Sequence, residues 1–163
     1  MLRWLWLSLG VILLDQLTKQ LAEALLTAYQ ALEVLPFFDL TLMYNRGAAF
    51  SFLSDQGGWQ RWFFVILALV VSGVLGVWLK RLRPDEKWVA VALALIIGGA
   101  IGNVIDRILF GQVIDFVHLH YHRYYWPAFN VADSAITIGV AIMLLDAFVL
   151  SGRRQPQDHR SDR

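Results

Sequence analysis

Four long apolar runs divide the chain, at residues 4–26, 62–79, 88–105 and 135–150. Each has about the length at which an α-helix crosses a hydrocarbon core roughly 30 Å thick. The second and third carry no ionisable side chain, and the fourth holds only Asp146, near its end. The first is interrupted by Asp15 and Lys19, one helical turn apart. The pattern predicts an α-helical membrane protein with four transmembrane helices, forming a single domain over residues 1–152. Between the first two runs the period changes. Phe38, Leu40, Leu42 and Tyr44 alternate with Asp39, Thr41, Met43 and Asn45, the period of a half-buried strand. "NRG" at Asn45 to Gly47 supplies turn chemistry, and Ala48, Phe50 and Phe52 resume the alternation. A small β-rich segment over about 36–53 is expected there, with Phe50 and Phe52 clamping a ligand from above. A second loop, about 110–132, contains "VHLHYHRYYWP", in which Tyr124, Tyr125 and Trp126 suit a membrane interface. Within the third run, "GGAIG" spaces Gly98 and Gly102 four apart and permits close helix contact.

Charge gives the runs a direction. Lys and Arg are retained on the cytoplasmic side during insertion. Arg3 precedes the first run, Lys80, Arg81, Arg83 and Lys87 crowd the connection between the second and third, and Arg153, Arg154, Arg160 and Arg163 follow the fourth. Both termini are therefore expected inside, with the β-rich segment on the outer, periplasmic side and residues 153–163 forming a polar cytoplasmic tail. A cleavable signal peptide competes for the first run, with "AEA" at Ala22 to Ala24 as its cleavage site. Asp15 and Lys19 oppose that reading, because such a peptide keeps its core neutral. Composition agrees with a membrane protein: 58% of the 163 residues are hydrophobic and only 17% charged. The absence of cysteine excludes a thiol nucleophile, disulfides and thiolate metal sites. A net charge of +1, with its basic residues explained by topology, argues against a nucleic-acid partner.

Ionisable groups at membrane depth are costly, so each needs a reason. Asp15 and Lys19 are expected to pair with each other or with Arg107. "GNVIDR" ends the third run, "VIDF" follows shortly after, and "FNVADSAIT" opens the fourth. Asn103, Asp106, Arg107, Asp115, Asn130 and Asp133 thus gather at one rim of a bundle. Bland roles exist for each: Asn130 as a helix N-cap with Asp133 in the first turn, and Asp106 with Arg107 as an interfacial ion pair. Together they exceed what capping requires. Two neighbouring carboxylates share a proton, so one is a base that activates water and the other an acid. That chemistry needs neither metal nor cofactor. A Ser–Lys scheme would have to use Lys19. A Ser–His scheme would draw on Ser51, Ser54 or Ser134 with His118, His120 or His122, and no nucleophile motif frames those serines. Zinc at "HLHYH" lacks a fixed third ligand.

These motifs resemble those of the bacterial lipoprotein signal peptidases (signal peptidase II). "DQLTK" at Asp15 to Lys19, "YNRGAAFSF", "GNVIDR", "VIDF" and "FNVADSAITIG" follow that family's five motifs in order, with Arg46 where a small polar residue is commoner. The resemblance implies an aspartic endopeptidase of the bacterial cytoplasmic (inner) membrane, with its site near the outer leaflet. It would remove signal peptides from diacylglyceryl-modified prolipoproteins, cutting before the lipidated Cys, and bind the inhibitor globomycin. Asp115 and Asp133 would form the catalytic dyad. Asn45, Gly47, Asn103, Asp106, Arg107 and Asn130 would hold substrate or inhibitor or support the dyad, and Asp15 would stabilise the active form. No obligate protein partner is implied. Within the pair, Asp133 in a first helical turn is expected ionised and Asp115, beside Phe116 and Val117, protonated. A proton- or ion-coupled carrier is the rival from another class, but carrier sites lie near the midplane between repeats and none is visible. An assembly factor would tolerate Asn at both aspartates.

Overall fold

A computed structural model describes residues 1–47 and 57–150. The strand resumption at Ala48, the clamp at Phe50 and Phe52, Ser51, Ser54 and the tail 153–163 lie outside the described residues. Four helices and four strands follow in the order α1 Leu5–Leu25, β1 Ala31–Leu35, β2 Phe38–Asn45, α2 Trp59–Arg81, α3 Lys87–Phe110, β3 Val113–Tyr121, β4 Tyr124–Tyr125 and α4 Val131–Leu145. A π-helical turn, Asp146–Leu150, continues α4.

The helix α3 is the centre of the bundle: Ala90, Ala92, Leu93 and Ala94 on it have no exposed surface, and it packs against α1, α2 and α4. Its small residues explain how three neighbours fit. A side-chain carbon at Gly98 would lie 2.9 Å from the Ser8 carbonyl oxygen and from Val11 Cβ of α1; one at Gly102 would lie 2.7 Å from Asp15 Oδ2. Gly99 gives the same access to α4, through the Ala132 backbone and Ile136. The helix runs past the expected end at Ile105 to Phe110, where Gly111 (φ +76°) closes it in a left-handed cap. Asp106 and Arg107 are therefore within the last two turns, not beyond the helix.

Among the described residues three helices are long and apolar enough to cross a membrane: Trp59–Arg81, Lys87–Phe110 and Val131–Val149. The helix α1 is less apolar, because Asp15, Lys19 and Glu23 fall within it. Its two central charges point inward, while Leu9, Leu13, Leu17 and Leu21 are exposed.

The strands form one antiparallel sheet in the order β1-β2-β3-β4. The strand β2 pairs with β1 before it and with β3 far along the chain, so Met43 faces Asp115 and Asn45 faces Val113. Its alternation has an unexpected sense: Asp39 and Thr41 are buried whereas Phe38 and Leu40 are only half-buried. Part of the reason lies across the sheet, where His120 Nε2 stands 3.1 Å from Asp39 Oδ2. Ala22, Leu42, Ile114 and Phe116 form a small core joining the sheet to the end of α1.

Candidate active site

The site is assembled from five elements around one buried ammonium group. Lys19 sits one turn after Asp15 on α1, and its Nζ lies 2.7 Å from Asp15 Oδ2 and 2.8 Å from Asp106 Oδ2 of α3. It also donates to Asn103 Oδ1 at 3.0 Å. A 1% exposed lysine keeps its charge only with such partners, and here all three protons of the ammonium have an acceptor. Arg107 does not join this cluster. Its Nη2 donates to the Gly47 carbonyl at 2.9 Å, and its guanidinium lies 5.1 Å from the Phe64 ring centre of α2. The alternative of an Asp106–Arg107 surface ion pair is thus replaced by a buried Asp15–Lys19–Asp106 triad.

Both acids of the triad also hold backbone. Asp15 Oδ1 accepts from the Ala132 amide at 2.9 Å, fixing α1 against the first turn of α4. Asp106 Oδ2 accepts from the Ile114 amide at 3.1 Å, fixing α3 against β3. Gln16 bridges them, donating to Asp106 Oδ1 at 2.8 Å and to the Gly102 carbonyl at 3.2 Å. Sequence reasoning did not single out Gln16. Its one signal was adjacency to Asp15 on a helix that buries Ser8, Asp15 and Lys19 and leaves Gln20 and Glu23 exposed.

Above the triad stand Asp115 and Asp133, each addressed by carboxamides. Asn103 Nδ2 donates to Asp133 Oδ1 at 2.8 Å. Asn130 Nδ2 donates to Asp115 Oδ1 at 2.7 Å and lies 3.2 Å from both the Ile114 carbonyl and Asn103 Oδ1. Asn45 Nδ2 reaches Asp115 Oδ2 at 3.2 Å while its own Oδ1 accepts from the Gly47 amide at 3.0 Å. The N-cap expected at Asn130 is present: its Oδ1 accepts from the Asp133 amide at 2.9 Å. Capping therefore does not compete with the polar cluster, because one carboxamide serves both through opposite atoms.

Asp115 and Asp133 line the same cavity, of about 660 Å³, with Asn45, Asn103 and Arg107. Its remaining walls include Leu119, Trp126, Phe129, Ile136 and Ile138. Such a space holds an extended, largely apolar segment against a few polar groups at one end. Burial, and next the charge of Asp133, push the Asp115 carboxyl up to about 7, although the Asn45 and Asn130 amides oppose the rise. Asp115 is 2% exposed, so this acid can hold a proton near neutral pH.

Elsewhere the expected alternatives take other partners. Ser134 Oγ donates to the Asn130 carbonyl. His118 and His120 stack on Tyr125 at 5.4 and 5.5 Å between ring centres. Among the described residues no group of three or more His, Asp or Glu side chains is arranged to hold a metal ion.

With this geometry in place, similarity to known proteins is informative. The profile of the family described as signal peptidase (SPase) II matches residues 7–149. The chain belongs to the signal peptidase II family. Its relatives include a lipoprotein signal peptidase of Pseudomonas putida, 59% identical over 149 residues, covering 90% of this chain and 87% of the relative. One from Aeromonas hydrophila is 51% identical over 148 residues, with 90% and 89% coverage. A solved bacterial membrane enzyme superposes with a TM-score of 0.84 at 29% identity, over 96% of this chain and 93% of its own. Membership of the signal peptidase II family makes the chain a peptidase, and Asn45, Asn103, Arg107, Asp115 and Asp133, from four of the five motifs quoted above, line the cavity.

Proposed function

We propose that the chain removes signal peptides from diacylglyceryl-modified prolipoproteins, cutting before the lipidated Cys, with Asp115 and Asp133 as catalytic dyad. The observation that carries this reading is the pair itself: a buried Asp115 and a half-buried Asp133 lining one cavity, each held by a carboxamide donor, with Asp115 able to keep a proton near neutrality. Ionised Asp133 takes a proton from water while the water oxygen attacks the scissile carbonyl carbon. Asp115 gives its proton to the carbonyl oxygen. In the collapse of the resulting diol, Asp133 returns its proton to the leaving amine as the C–N bond breaks, and Asp115 recovers one from the diol hydroxyl. The dyad ends as it began.

Asn45 and Asn130 orient Asp115, Asn103 orients Asp133, and Arg107 holds Gly47 at the cavity edge. Asp15 and Asp106 stabilise this arrangement from below. The helix α1 is the fourth span: its 21 residues rise about 31 Å, the thickness of a hydrocarbon core. With Lys80, Arg81, Arg83 and Lys87 on the cytoplasmic side, the dyad lies towards the outer leaflet of the inner membrane. A signal-peptide helix ends its passage at that level, and the diacylglyceryl chains stay in lipid while the peptide bond reaches the dyad. Globomycin competes for the same cavity.

The test is a gel-shift assay with purified protein and a synthetic diacylglyceryl prolipoprotein. Asp115→Asn and Asp133→Asn should each fold and lose about 10²–10⁴ in rate. Equal cleavage by parent and both variants would end the dyad reading.

A further inference from the structure

The buried ammonium of Lys19 has no task in the mechanism above. Lys19 is 1% exposed, does not itself line the cavity, and occupies the interior among Asp15, Asp106 and Asn103. An ion pair there would need only the two carboxylates. The contact with Asn103 is additional, and it has a directional consequence.

An ammonium group donates and never accepts. Asn103 must therefore turn its Oδ1 towards Lys19, where that oxygen also meets Asn130 Nδ2. Its NH₂ group is then forced to the opposite side, onto Asp133 Oδ1 at 2.8 Å. The same logic fixes Asn130 from another direction, because the Asp133 backbone amide, also only a donor, claims its Oδ1. Neither carboxamide is free to exchange its oxygen and nitrogen without placing donor against donor and leaving buried groups unpaired. The polarity of the network thus starts at Lys19 and ends at an Asp133 oxygen that is asked to accept.

Resting on the dyad reading, we propose that Lys19 is a positioning residue of the reaction: by fixing the Asn103 carboxamide with its NH₂ towards Asp133, it assigns Asp133 the anionic, base role. Without Lys19, Asn103 Oδ1 is held only by Asn130 Nδ2 at 3.2 Å, a donor shared with the Ile114 carbonyl at the same distance. Asn103 can then turn over and present Oδ1 to Asp133, an arrangement that requires the proton on Asp133 and leaves the water without its base. The charge of Lys19 acts in the same sense, since a buried cation favours the singly ionised dyad. The other groups facing the dyad are Asp15 from α1, Asp106 and Arg107 from α3, and His118 further along β3; β2 contributes the neutral Asn45.

The variant Lys19→Met keeps the length of the stem and removes both charge and donor. In the gel-shift assay kcat should fall about tenfold or more with KM within about twofold, because Lys19 does not touch substrate. The acid limb of the kcat profile should move about one unit to higher pH, since losing a cation makes the dyad harder to ionise. Loss of activity only in proportion to the unfolded fraction, with the pH profile unmoved, would overturn the proposal. Should Lys19→Met fail to fold, Lys19→Met/Asp15→Asn removes the opposite charge as well and is judged by the same three readings. Infrared difference spectra need no Lys19 variant: the protonated-acid band of the parent should vanish in Asp115→Asn and persist in Asp133→Asn, and the reverse would also overturn it. Cleavage by the two Asp→Asn variants would instead remove the dyad, an outcome separate from either.

Discussion

Asp115 ties the titration of the site to the stability of the fold. Its carboxyl is raised to about 7, first by burial and next by Asp133. A group raised on folding contributes its stability below its unfolded value, and that contribution is lost as pH rises through the folded one. The shift of roughly three units is worth about 4 kcal/mol in all, of which the parent should lose about 2–3 kcal/mol between pH 5 and pH 8. Asp115→Asn should be free of that loss, so its thermal midpoint should improve relative to the parent as pH rises. An unchanged difference between the two would contradict the burial of the ionisable acid. Activity should respond in the same window: kcat/KM should decline above about pH 7 as the acid that protonates the carbonyl oxygen is lost. The motifs singled out Asp115 and Asp133 as candidates in the sequence, and the two line one cavity. What held them was not legible there, because the Asn45–Asp115 and Asn103–Asp133 contacts join residues 70 and 30 positions apart. Lys19 was visible as an expensive residue in an apolar run, and its pairing with Asp15 was expected, but Asp106 on α3 was not foreseen as a second partner, because no spacing in the sequence joins the two helices.

The helices differ in how much room they leave one another, and α2 and α3 form a natural contrast. Nothing lies within 4 Å of a side-chain carbon built at Gly76 of α2, whereas one at Gly98 of α3 would meet the α1 backbone at 2.9 Å. Gly76→Leu should leave folded yield and thermal midpoint within the range of a surface change, about 0.5 kcal/mol. Gly98→Leu should cost about 3 kcal/mol or more, or abolish folding, because the contact is with backbone that has no rotamer to yield. Parity between the two in a detergent melt would mean that α1 and α3 are not in contact at this point. The periodicity of the chain located the helices well, since long apolar runs have few alternative structures. It located the sheet less well. The strand β1, "ALEVL", is exposed along its length and shows no alternation to read, and β2 buries Asp39 and Thr41 along with Leu42 while Phe38 and Leu40 are only half-buried. Pairing with a strand more than 60 residues later decided which face turned inward.

At the level of the whole molecule, topology remains the boldest reading, and the lack of cysteine makes it simple to test. In a single-cysteine series, Arg123→Cys should react with a membrane-impermeant maleimide in intact spheroplasts, and Arg83→Cys only after lysis. The opposite pattern would invert the protein in the membrane and put the cavity on the wrong side for exported substrates. The chain's net charge and composition announced a membrane protein, but only the distribution of its basic residues carried direction. A different property follows from the way Ile114 is gripped, by Asp106 on its amide and Asn130 on its carbonyl. One aspartate rides on a sheet and the other on a helix long and apolar enough to cross a membrane, and Ile114 is one fastener between the two parts. A bilayer or micelle of the wrong thickness strains that fastener first. Hosts that preserve identical helix content should then differ widely in turnover, and the best surfactant for purifying the fold need not be the best for running it.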